Sequence, residues 1–188
     1  MISYSYESEQ DFLVYCINEF LDSFRGQDKF FLPLSDDLRL YNTSYANVAL
    51  LSKKQNIQYR LSIYLNNLVI DTDIFEPKLI RKMPNSFWSY FIELNKVGKL
   101  RFETWGANEK IQSDLNEKSS ENAIFELIKE IVLMDEYDNF CNDFGKLEIS
   151  FDLSKESEGL IDKVVKAITL LHKINYQLYR KNYLKNRK

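Results

Sequence analysis

Residues 57–75 read IQYRLSIYLNNLVIDTDIF, and this stretch decides the fold class. Ile57, Tyr59, Leu61, Ile63 and Leu65 alternate with Gln58, Arg60, Ser62 and Tyr64. A period of two sends successive side chains to opposite faces of an extended chain, so the run predicts a strand with one face buried. Asparagine tolerates left-handed backbone, and Asn66-Asn67 is expected to turn the chain into a further strand over about 68–75. Upstream, residues 45–52 are apolar and β-compatible, and Lys53-Lys54-Gln55-Asn56 supplies a polar turn. The expected product is an antiparallel meander, preceded by a short strand over 38–41.

Outside the meander the apolar spacing becomes helical. Phe12, Leu13, Cys16, Ile17, Phe20, Leu21 and Phe24 share a helix face, with Ser8 as N-cap, Asp11 three residues on and Gly26 as a stop. Residues 27–37 carry Pro33 and Ser35-Asp36-Asp37 and read as a loop. Pro77 and Pro84 bracket a stretch without a clear period, after which Asn85 or Ser86 can cap a helix carrying Phe87, Trp88, Tyr90, Phe91, Leu94 and Val97 up to Gly98. Leu100, Phe102 and Thr104 mark a strand, and the polar residues 107–119 a mobile loop. Ile124, Phe125, Ile128, Ile131, Val132, Phe140 and Cys141 predict a third helix, with Gly145 as its left-handed C-terminal residue. Leu147, Ile149, Phe151 and Leu153 alternate as a last strand. A final helix from about Glu156 turns Leu160, Ile161, Val164, Val165, Ile168 and Leu171 inward.

The sum is a single α+β domain over 1–188, with a mixed or mainly antiparallel sheet packed by about four helices. Composition agrees: 45% of the 188 residues are hydrophobic, including 13 Phe and 12 Tyr, which places the chain far from disordered compositions. No stretch approaches eighteen apolar residues and no signal-peptide pattern follows Met1, so the sequence predicts a cytoplasmic protein without a membrane span. Wealth in Asn, Lys, Tyr, Phe and Ile with only 5 Gly and 3 Pro fits a microbial or viral source with an AT-rich genome.

Lys plus Arg total 25 against 28 acids, and a net charge of −3 gives no overall basic field for a phosphate backbone, so nucleic acid is not the expected partner. The chain end departs from that balance. Arg180, Lys181, Lys185, Arg187 and Lys188 crowd into nine residues with Tyr183 among them and Tyr179 just before. A basic helix end at 176–188 is either solvated or a contact for an acidic partner.

Catalytic constellations are scarce. His172 is the lone histidine, and Cys16 and Cys141 fall on helix faces as buried thiols, so neither a nucleophile with its base nor a zinc site emerges. No glycine-rich phosphate loop and no G-x-S-x-G turn is present, and no metal or cofactor is expected. Asp71, Asp73, Glu76 and Lys78 are the one set of types suited to an oxygen-loving metal ion. Helix, three-strand meander, helix, strand is similar to the element order of the restriction-endonuclease-like core. There an Asp on one strand and a Glu-x-Lys on the next hold a divalent metal at the scissile phosphate. This chain departs from that pattern: residues 57–65 hold no acid, and Pro77 lacks the N–H that a paired strand needs. The plainer expectation is that Asp71, Asp73 and Glu76 form a solvated, acid-rich turn.

The aromatic residues Phe87, Trp88, Tyr90 and Phe91 cannot all face one side of a helix. Phe87, Tyr90, Phe91 and Leu94 are expected to pack on the sheet while Trp88 covers a loop; the alternative makes Trp88, with Trp105 at a strand end, part of a protein-binding patch. Tyr179, Arg180 and Tyr183 are candidates at the C-terminal end. The functional expectation is a non-catalytic protein-binding or inhibitory protein of the immunity, antitoxin or defence-antagonist type. Two alternatives stand beside it: a metal-dependent nuclease or degenerate relative using Asp71, Asp73, Glu76 and Lys78, and a regulatory subunit docking through its C-terminal helix. A homodimer formed through surplus apolar surface is compatible with any of these.

Overall fold

A computed structural model describes residues 6–25, 38–43, 47–53, 56–74, 77–104, 145–155 and 159–185. The elements in chain order are α1 (Glu9–Arg25), β1 (Leu38–Thr43), β2 (Asn47–Ser52), β3 (Ile57–Tyr64), β4 (Asn67–Ile74), a 3-10 helix (Pro77–Lys82), α2 (Asn85–Val97), β5 (Lys99–Thr104), β6 (Gly145–Asp152) and α3 (Leu160–Lys185). The α+β class holds, and every strand pairing is antiparallel, in the order β1-β2-β3-β4-β6-β5. Because β6 is antiparallel to both neighbours, β4 and β5 run in the same direction on either side of it.

Alternation generates the core. Tyr59 and Leu61 on β3, Leu68 and Ile70 on β4, and Leu147, Ile149 and Phe151 on β6 are buried toward one face. Phe12, Leu13, Cys16, Ile17 and Phe20 of α1, Phe87, Phe91 and Leu94 of α2, and Val164, Ile168, Leu171 and Ile174 of α3 close over it. α3 lies between α1 and α2, touching both, and no described helix packs on the opposite face of the sheet. No described helix is long and apolar enough to cross a membrane.

Local signals explain the element ends. The Ser8 Oγ accepts the Asp11 backbone N–H at 3.1 Å and its hydroxyl donates to Asp11 Oδ2 at 2.7 Å, the expected cap of α1. Gly98 makes the α2–β5 junction possible by close approach: a Cβ there would meet Phe151 Cε1 at 2.9 Å and the Ser150 carbonyl at 3.1 Å. Gly159 takes φ +67° immediately before α3.

Several expectations are corrected. Three α-helices stand among the described residues, against about four expected; the helix expected around 124–141, with Cys141, and the mobile loop expected at 107–119 lie outside the described residues. Gly145 begins β6, opposite Ile74 and Thr104, instead of ending a helix. α3 starts at Leu160, not near Glu156, and Pro84 rather than Asn85 or Ser86 holds the N-cap position of α2. The meander turn is Leu65-Asn66, with φ +46° and +63°, one residue earlier than expected, so Leu65 leaves the buried face and is 76% exposed. Either register keeps the apolar faces aligned. The observed one sets Arg60 directly opposite Asp71 and diagonal to Asp73, so that one guanidinium reaches both acids.

Candidate functional site

The polar chemistry of the sheet divides between its two faces. On the face without a described helix, β3 contributes Arg60, β4 contributes Asp71 and Asp73, and β6 contributes Lys146 and Glu148. Arg60 Nε donates to Asp71 Oδ1 at 2.5 Å, and its terminal nitrogens donate to the two oxygens of Asp73 at 2.9 and 3.3 Å. Lys146 Nζ stands 3.7 Å from Asp71 Oδ2 and donates to Glu148 Oε2 at 3.4 Å. Asp71 is buried, and that burial lifts its carboxyl above the ordinary carboxylate range despite the opposing pull of Arg60 and Lys146.

This is a correction to the solvated-turn expectation. Asp71 and Asp73 sit within β4, two strands in from the β5 edge, and a half-buried ion lattice holds them. Lys78 falls in the 3-10 helix beyond the strand, and Glu76 lies outside the described residues. What joins Asp71 is not the downstream set but Arg60, Lys146 and Glu148 from flanking strands. Periodicity could have placed Arg60 there; Lys146 and Glu148 arrive from more than seventy residues away, and nothing local announces them. Among the described residues no three His, Cys, Asp or Glu side chains are arranged to hold a metal ion.

The helix-covered face carries a neutral polar group. Asn175 Nδ2 donates to Thr72 Oγ1 at 2.9 Å and approaches the Tyr59 hydroxyl at 3.5 Å, while that hydroxyl and His172 Nδ1 lie 2.9 Å apart. Either the phenol donates to Nδ1 of an imidazole protonated at Nε2, or an Nδ1-protonated ring donates to the phenol oxygen; in both the imidazole is neutral. Burial pushes His172 down to about 4 and raises the Tyr59 phenol, so both stay uncharged near neutrality. Cys16, also buried, is pushed up to about 12 and remains a thiol. The lone histidine, this thiol and both β4 acids thus serve the packed interior or its ion pairs.

The remaining candidates are peripheral. Trp88 is half-buried, its ring 5.7 Å from both Phe87 and Phe91, and Trp105 lies outside the described residues. The end of α3 is different. Its 26 residues span about 39 Å at 1.5 Å per residue, and it contacts the 3-10 helix as well as α1 and α2. Leu178 is the last described residue of α3 to be buried. Beyond it the rings of Tyr179 and Tyr183 stack 6.1 Å apart at 25°, Tyr183 is 43% exposed, and Arg180 and Lys181 are exposed, Lys181 on the side of the helix away from the rings. The two flat rings and Arg180 on the last turns of α3 offer groups suited to acidic and aromatic partners.

Searches of protein-family models, curated proteins and solved structures return no match to this chain.

Proposed function

We propose that this chain is a non-catalytic protein-binding or inhibitory protein that docks a protein partner through the end of α3. The observation that carries the reading is the stacked Tyr179–Tyr183 pair with exposed Arg180 beside it and exposed Lys181 on the same turn, in the last turns of α3. In a chain of net charge −3 a local basic, aromatic surface favours a partner with an acidic patch, and Tyr and Arg are residue types that anchor interfaces. Basic residues also complement the C-terminal pole of the helix dipole, but that role does not require the paired rings. An immunity, antitoxin or antagonist role, or that of a regulatory subunit, uses the same contact.

The test is affinity co-purification of the tagged chain from the cell that produces it, after nuclease treatment, beside the double variant Arg180→Glu/Lys181→Glu. A stoichiometric protein partner retained by the wild type and lost by the variant is the expected result. A partner retained equally by both, or recovery that requires nucleic acid, contradicts the reading.

A second reading, a metal-dependent nuclease or its degenerate relative, draws on one observation: Asp71 stands opposite Glu148 in the ladder, with Lys146 beside both. It requires a metal to displace Arg60 from Asp71 and Asp73. Magnesium- or manganese-dependent cleavage of DNA or RNA that Asp71→Ala and Asp73→Ala abolish would favour it over docking.

A further inference from the structure

We draw no further inference here: the strongest candidate, the β1 edge of the sheet with its exposed Arg39 and Tyr41, carries nothing because nothing in the structure shows what covers it.

Discussion

Tyr59 and Arg60 are neighbours in β3, and Thr72 lies between Asp71 and Asp73 in β4, yet alternate residues belong to different kinds of chemistry. On the helix-covered face Tyr59, Thr72, His172 and Asn175 are buried as neutral groups joined by hydrogen bonds. On the other face Arg60, Asp71, Asp73, Lys146 and Glu148 are charged and partly wet. Burial in an apolar interior is tolerated by polar groups when they can shed charge and find partners. A guanidinium cannot shed its charge, so Arg60 must lie on the face where carboxylates and water meet it. The period-two alternation keeps the two chemistries apart across one backbone.

The largest test of that division is Arg60→Ala. It leaves Asp71 and Asp73 close together without their shared cation, and urea unfolding should show a loss of about 2–3 kcal/mol, below the roughly 3–5 kcal/mol of a fully buried broken pair because the site is partly wet. The second concerns acid. The folded His172 sits near 4 against 6.5 for an ordinary histidine, so between those values the unfolded chain binds the extra proton. Stability from this group is complete above about pH 7 and is lost as pH falls toward 4, by roughly 3 kcal/mol in total. The folded Asp71 carboxyl is raised, so the folded chain binds its proton first and its contribution runs the opposite way, rising with acid. Denaturant midpoints measured from pH 7 to pH 4 should fall for the wild type, and His172→Gln should remove most of that slope.

Smaller effects sharpen the comparison. Tyr59→Phe removes the hydroxyl shared by His172 and Asn175 inside the core and should cost about 1–2 kcal/mol in the same assay, since the buried His172 Nδ1 loses its hydrogen-bond partner. Asp71→Asn should change stability by less than about 1 kcal/mol at pH 7, because its burial offsets much of its pairing while Asp73 retains Arg60. A large loss from Asp71→Asn with little from Arg60→Ala would break the account of the ionic face.

Most of the frame was legible in the sequence because it rests on local periodicity. The helix stripe from Phe12 to Phe20, the β3 alternation and the Ser8 cap each need only a few neighbouring residues to be recognised. The misplaced turn shows the limit. A hairpin centred on Asn66-Asn67 preserves the same apolar faces as one centred on Leu65-Asn66, so periodicity cannot separate them, and either register leaves Arg60 opposite one of the two acids and diagonal to the other. The environment of Asp71 was hidden for a related reason: beside Arg60 of β3, its neighbours Lys146 and Glu148 come from β6, beyond residue 144, and a local window reads its acids as a turn. Tyr179, Arg180 and Tyr183 stood out by composition alone. Leu65 did not, since an alternating apolar residue is read as buried until the turn is known.

The most direct test of where this molecule works is hydrogen–deuterium exchange of the full chain with and without its co-purified partner. Docking through the end of α3 predicts slowed exchange across residues 178–185, with the centres of β4 and β6 unchanged. Protection confined to β4 and β6, seen with magnesium and an oligonucleotide and leaving α3 unaffected, would contradict it and place the working surface on the ionic face.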